Sequence, residues 1–332
     1  MNENKVRNSL VDALHQNIEF VSGESISTEL SISRTAVWKH IQMLKRDGYY
    51  IQTVRRKGYK LLGAPKDIHP LEIKRLLQTQ YLGHSLLYYH ELGSTNSKAQ
   101  HMAETNQNLQ EGTILIAQMQ RSGRGRMDRS WLSPSGGIWA SLILKPEFDM
   151  AEASLLTFAA AVAICAAVRR HTNLPTTVKW PNDVMCNERK LAGILAEVTA
   201  QAGKIKHVVL GFGINGNIRL SKFPQPLRSQ ATSLYRELHK DTCLNQILAE
   251  ILLHLEENYE LLKNGRKAEL LDKWRECTCT LGHQVSIALP NNKTLTGLAQ
   301  DITDQGALIV KDDDGQTHRL TSGDLSIRKM DQ

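Results

Sequence analysis

Apolar positions recur at helical spacing from the start of the chain. Val6, Leu10 and Leu14 share one helix face, Ile26 and Leu30 a second, and Val37, Ile41 and Leu44 a third. The third helix has Ser33 before it, whose hydroxyl can accept from a free backbone N–H of the first turn, and Gly48 after it, a residue suited to the left-handed close of a helix. Its opposite face carries Arg34, Thr35, Trp38, Lys39 and Gln42. Strand-like segments follow at residues 50–54 and 59–62, joined through Arg55-Arg56-Lys57-Gly58, which predicts a hairpin with a basic tip. Gly63-Ala64-Pro65 interrupts the pattern, so a first domain is expected over residues 1–63.

Beyond that break the pattern alternates between strand and helix. Strands are predicted at 86–90, 113–118, 138–144, 177–180, 191–198 and 207–214, and helices at 97–103, 153–170 and 244–262. This is an α+β layer arrangement, a mixed sheet with helices on one face, expected over residues 66–273. The largely apolar run 153–168 is shorter than the roughly 20 residues a bilayer requires and is flanked by Glu152 and Arg169, so a buried helix is expected there and no membrane partner. From Gly282 short β segments return at 285–289, 294–299, 307–311 and 317–320, with Asn291-Asn292 and Asp314-Gly315 as turns; a third domain is expected over 280–330.

Composition adds limits. A chain of 332 residues, 41% hydrophobic and 23% charged, is neither a disordered chain nor a collagen. Glu3, Asp12 and His15 interrupt the first twenty residues, so no secretory signal is expected and a cytoplasmic setting follows. Five scattered cysteines do not suit a disulfide framework, and Cys277 and Cys279 have no partner at zinc-ligand spacing. The net charge of +7 (41 basic minus 34 acidic) is unevenly placed. Between Arg34 and Lys60 stand Arg34, Lys39, Lys45, Arg46, Arg55, Arg56, Lys57 and Lys60 against Asp47 alone, a cluster that attracts a phosphate backbone. The pattern resembles the winged helix-turn-helix domains of bacterial regulators. That resemblance implies DNA contact by Ser33, Arg34, Thr35, Trp38 and Lys39 from the third helix, and by Arg55, Arg56 and Lys57 from the wing.

The segment 118–131, Gln-Met-Gln-Arg-Ser-Gly-Arg-Gly-Arg-Met-Asp-Arg-Ser-Trp, places four arginines within nine residues and includes two glycines. It predicts a mobile cationic loop. A dinucleotide fingerprint needs a third glycine where Asp128 stands, and the P-loop ending is absent. On charge alone a solvated charged loop is an equal alternative. Gly93-Ser94-Thr95-Asn96 lies upstream, and Lys179-Trp180-Pro181-Asn182-Asp183 and Lys190-Leu191-Ala192-Gly193-Ile194-Leu195 lie downstream. Taken jointly, these motifs resemble the biotin protein ligases over almost the whole chain. One departure is Met127-Asp128, where some relatives continue Arg-Gly.

The resemblance implies a bifunctional enzyme and biotin operon repressor: a winged helix, a central domain like class II aminoacyl-tRNA synthetases, and a small SH3-like β-barrel. It implies that biotin and ATP, with Mg2+, form biotinoyl-5'-AMP, whose acyl group passes to a lysine of a biotin carboxyl carrier protein, an acetyl-CoA carboxylase subunit. Ser94, Thr95, Asn96, Gln120, Gly123, Arg124, Arg126 and Lys190 are then the biotin-binding residues. Arg126, Trp131, Asn182 and Asn215 meet the adenylate, and Arg126, Lys190 and Asp183 serve the reaction, Asp183 also holding magnesium. The adenylate is implied as corepressor, favouring a homodimer on operator DNA. Two alternatives are a sensor that has lost catalysis and a lipoyl-type ligase. Retention of Arg124, Arg126, Asp183 and Lys190 weighs against the first, and the Gly-Arg-Gly-Arg run against the second.

Overall fold

The computed structural model describes residues 3–106, 108–289 and 294–327. Two compact units divide the chain, Met1–Leu76 and Leu77–Gln332. The turn expected at Asn291-Asn292 lies outside the described residues.

In the first unit, α1 (Glu3–Gln16), α2 (Gly23–Leu30) and α3 (Arg34–Arg46) precede a hairpin of β1 (Tyr50–Val54) and β2 (Gly58–Gly63). Ser22 and Ser33 cap α2 and α3, accepting from the N–H groups of Ser25 and Ala36. The three predicted stripes meet in one core, where Leu10, Ile26, Val37, Ile41 and Leu44 are fully buried. Each contributes about 1.5–3 kcal/mol through burial. Gly58 is fixed both by its φ of +108° and by crowding: a Cβ there would stand 2.0 Å from the carbonyl oxygen of Val21. Past the Gly63-Ala64-Pro65 break the unit continues into α4 (Pro70–Leu76), with proline at the first helical position, and Leu71 joins the same core.

Glu72 of α4 is 2% exposed and accepts from His15 Nε2 at 2.9 Å, Tyr49 Oη at 2.9 Å and Arg75 Nη2 at 2.8 Å. Burial pushes its carboxyl up, but the hydrogen bonds from Arg75, His15 and Tyr49 outweigh it and hold the pKa below the ordinary value. A depressed carboxylate stabilises the fold fully above its unfolded pKa, and this stabilisation fades as pH falls through the folded value. Glu72→Gln is therefore expected to cost about 2 kcal/mol at pH 7. The unfolding transitions of variant and parent should converge under acid, whereas a pH-independent gap between them would contradict the assignment.

The second unit is built on a mixed sheet of β3 (Leu86–Leu92), β4 (Thr113–Arg124), β5 (Ser130–Ser133), β6 (Ile138–Leu144), β7 (Thr176–Lys179), β8 (Asp183–Cys186), β9 (Arg189–Gln201) and β10 (Lys204–Ile214). Its order is β3-β4-β6-β10-β9-β8-β7, with β5 beside β4. The β3–β4 pair is parallel and the other pairs are antiparallel. The helices are α5 (Thr95–Thr105), α6 (Leu155–Thr172), α7 (Leu234–Leu238), α8 (Leu244–Lys263) and α9 (Lys267–Cys277). α6 is long and apolar enough to cross a membrane, but its residues are mostly buried within this unit, and Phe158 stacks on Trp274 of α9 at 4.7 Å.

The expected cationic loop is mostly strand. β4 runs on through Arg124 and pairs with β5, leaving a tight turn at Arg126–Arg129. Met127 (φ +53°) and Asp128 (φ +55°) both occupy the left-handed region, as in a type I′ hairpin turn.

The C-terminal sheet contains β11 (Gln284–Ala288), β12 (Thr294–Ile302), β13 (Leu308–Asp312), β14 (Thr317–Leu320) and β15 (Asp324–Ile327), antiparallel in the order β14-β13-β12-β11-β15. Trp180, 1% exposed, ties this region to the central sheet: its backbone N–H donates to Thr280 Oγ1 at 2.9 Å, and its Nε1 donates to the Gly306 carbonyl at 3.1 Å.

Candidate active site

Side chains alternate across a strand, so residues 209, 211 and 213 of β10 share one face. Val209 packs with Ala99 of α5, Gly211 lies under Asn96, and Gly213 lies under Trp131. A Cβ on Gly211 would stand 1.9 Å from Asn96 Oδ1, and one on Gly213 would stand 2.5 Å from Trp131 Nε1. Gly193, paired with Gly213 across the sheet, also lies against the Trp131 ring. The absence of side chains on this face opens a cavity of about 340 Å³.

Of the predicted residues, Ser94, Thr95, Asn96, Gln120, Arg124, Arg126, Trp131, Asn182, Asp183, Lys190 and Asn215 all line it. Gly123 does not, and its position is explained by packing: a Cβ there would stand 2.4 Å from the Trp131 carbonyl oxygen.

One end of the cavity is a hydrogen-bonded polar wall. Ser94 caps α5, accepting from Ser97 N–H. The backbone N–H and hydroxyl of Thr95 both donate to Gln120 Oε1, at 2.7 and 3.0 Å, and Gln120 Nε2 donates to Ser133 Oγ at 2.8 Å. Beneath them Ser141, fully buried in β6, has its Oγ 2.7 Å from Thr95 Oγ1 and 2.6 Å from Asn96 Oδ1.

The rest of the lining is rich in cations. Arg124, Arg126, Arg129, Lys179 and Lys190 line the cavity against two carboxylates, Asp183 and Asp324. Arg129 donates to Asp324 at 2.5 Å, which holds that carboxyl below its ordinary pKa. Lys190 Nζ lies 2.7 Å from Asp183 Oδ1 and 5.1 Å from the Trp131 ring centroid. Asp183 Oδ1 is buried, and the Lys190 ammonium is its charge partner. Arg126, half-buried, donates to Asn182 Oδ1 at 3.0 Å, and no carboxylate pairs with it among the described residues. Burial lowers its pKa, although Asp183 and Asp324 pull the other way. An unpaired, partly desolvated guanidinium is a strong attractor for an anion.

Asn215 donates its Nδ2 to the Thr232 carbonyl at 2.8 Å, holding the chain after β10 over the cavity. Sequence patterns left several contributors out: Ser141, Glu197, Arg129 and, from the C-terminal sheet, Asp324. Two carried a local signal: Arg129 belongs to the four-arginine run, and Ser141 is the one hydroxyl in the apolar strand Ile-Trp-Ala-Ser-Leu-Ile-Leu.

Comparison with known proteins places this arrangement. Residues 92–215 match the biotin/lipoate A/B protein ligase family, residues 6–60 an HTH domain, and residues 280–328 the biotin protein ligase C terminal domain. The chain is 36% identical over 324 residues to the bifunctional ligase/repressor BirA of Bacillus subtilis, covering 97% of this chain and 98% of that one. It is 32% identical over 333 residues to the BirA of Escherichia coli, covering 100% of each. The chain belongs to the bifunctional biotin ligase/repressor family. A biotin protein ligase from Aquifex aeolicus, solved with biotin and ATP, superposes on 74% of this chain and 100% of its own, with 30% identity and a TM-score of 0.63. The family's ligase region coincides with the cavity, and its HTH domain with the unit bearing the basic helix and hairpin.

That unit displays the predicted DNA-facing residues. Ser33 is exposed at the cap of α3, Arg34, Thr35 and Lys39 are exposed on the helix, Trp38 is 53% exposed, and Arg55, Arg56 and Lys57 are exposed at the hairpin tip. Arg56 takes a φ of +66°, an unusual conformation for a side-chain-bearing residue.

Proposed function

We infer that this protein activates biotin with ATP, transfers the acyl group to a lysine of a biotin carboxyl carrier protein, and represses an operator as an adenylate-bound homodimer in the cytoplasm. The observation that carries the catalytic part is Arg126: a half-buried guanidinium without a carboxylate partner among the described residues, in a cavity that also has a fixed polar wall.

Activation brings a carboxylate against the α-phosphorus of ATP and expels pyrophosphate. Two anions must approach, so the barrier falls when fixed cations neutralise both. Ser94, Thr95, Asn96 and Gln120 hold the ureido head, replacing the hydrogen bonds it had in water. Arg124 and Lys190 face the vitamin's carboxylate, Arg126 and Asn182 the adenylate phosphate, Trp131 the adenine, and Asn215 the ribose or phosphate. Lys190 leaves Asp183 as the substrate carboxylate arrives, exchanging one ion pair for another.

Asp183, whose buried Oδ1 is freed when Lys190 turns to the substrate carboxylate, offers an oxygen suited to a hard cation, and no cluster of three or more His, Cys, Asp or Glu side chains forms a dedicated cage among the described residues. Such a single carboxylate fits Mg2+ that arrives with phosphates, where the ion would neutralise charge on the leaving group.

On the DNA side, exposed α3 enters the major groove while Arg55, Arg56 and Lys57 meet backbone phosphates. A two-fold dimer would place two such units on a two-fold operator. Corepression requires the adenylate to bind the dimer more tightly than the monomer. Titrating operator DNA with biotin plus ATP, against ATP alone, should show tighter binding only with the vitamin; equal affinity would remove the corepressor role.

A further inference from the structure

Glu197 of β9 joins two parts of the cavity that are far apart in sequence. Its Oε2 accepts from Asn96 Nδ2 at 2.8 Å, while its Oε1 lies 2.9 Å from Arg124 Nη1. Asn96 is held from its other side by Ser141 and sits over Gly211, where no larger residue fits. The carboxylate is therefore anchored to the rigid wall of the cavity, and Arg124 is anchored to the carboxylate. Arg124 is 47% exposed at its side chain and would otherwise be free to turn into water. The two arginines of the Gly-Arg-Gly-Arg run differ accordingly: Arg124 is neutralised by Glu197, and Arg126 is not.

We propose that Glu197 is a positioning residue for the vitamin's carboxylate, acting through Arg124 and Asn96. This assignment rests on the biotin-ligase reading of the cavity. A carboxylate beside an anion-binding site has an electrostatic consequence that a packing role lacks. With Arg124 present, Glu197 orients a cation toward the substrate. With Arg124 removed, the same carboxylate stands uncompensated near a bound anion and repels it.

The effects of substitution should therefore change sign with background. Glu197→Gln keeps an acceptor for Asn96 but loses the charge that holds Arg124, and is expected to weaken biotin binding several-fold. Arg124→Ala is expected to weaken it roughly tenfold or more. Adding Glu197→Gln to Arg124→Ala should restore at least about threefold, because the stranded negative charge is gone. Calorimetric titration of the full-length protein with biotin alone reads all four affinities. A double variant no tighter than Arg124→Ala would overturn the proposal, as would an unchanged affinity in Glu197→Gln. Failure of the parent itself to bind biotin would instead remove the underlying reading, and this assignment with it.

Discussion

Arg126→Gly is expected to release the acyl adenylate on the order of 10²-fold faster than the parent, the scale seen when one preorganised donor to a developing anion is lost. Among the described residues the half-buried guanidinium donates to Asn182 and has no carboxylate partner. It is available for a phosphate, and the hairpin turn that carries it covers the cavity. Without that cation the adenylate loses a charge-assisted contact and reaches water, where it hydrolyses or acylates nearby amines. Chromatography of free biotinoyl-adenylate and labelling of bystander lysines measure the effect. Release no faster than in the parent would show that Arg126 does not retain the intermediate.

Replacing Arg55, Arg56 and Lys57 together by alanine is expected to weaken operator binding roughly 10²–10³-fold at about 0.1 M salt. Each phosphate contact contributes about 0.9 to the slope of log affinity against log salt, so losing three should flatten that slope by about 2.7 per protomer. All three side chains are exposed at the hairpin tip and none packs in the core of the first unit, so the fold should survive. Biotin-dependent adenylation should stay within about twofold of the parent, because these residues belong to a different compact unit from the cavity. An unchanged salt slope would remove the hairpin from the DNA contact. A loss of adenylation would show that the first unit helps to shape the active site.

Local patterning made the first unit legible, since three amphipathic helices with serine caps need only short-range signals. The unit's extent was not legible, because Gly63-Ala64-Pro65 breaks periodicity even though the chain returns through α4 to place Glu72 in a buried hydrogen-bonded cluster. In the central region β4 was cut short at Gln118. Its second half, Met119 to Arg124, is a partly exposed strand whose polar side chains read as loop, and its partner β5 is four residues long. α9 carries Leu270, Leu271 and Trp274 on a buried face but is short and falls at the expected domain edge. The cavity motifs were legible because each is locally distinctive. Glu197 and Asp324 were not, since their positions depend on strand register and on packing between distant segments.

In the proposed reaction the cations lining the cavity bring a biotin carboxylate to the α-phosphate of ATP. Exchange of labelled pyrophosphate into ATP, with magnesium and no acceptor protein, tests it most directly. Exchange is expected to depend on biotin and not to be supported by lipoate; no exchange with biotin, or equal exchange with lipoate, would rule out the proposed reaction.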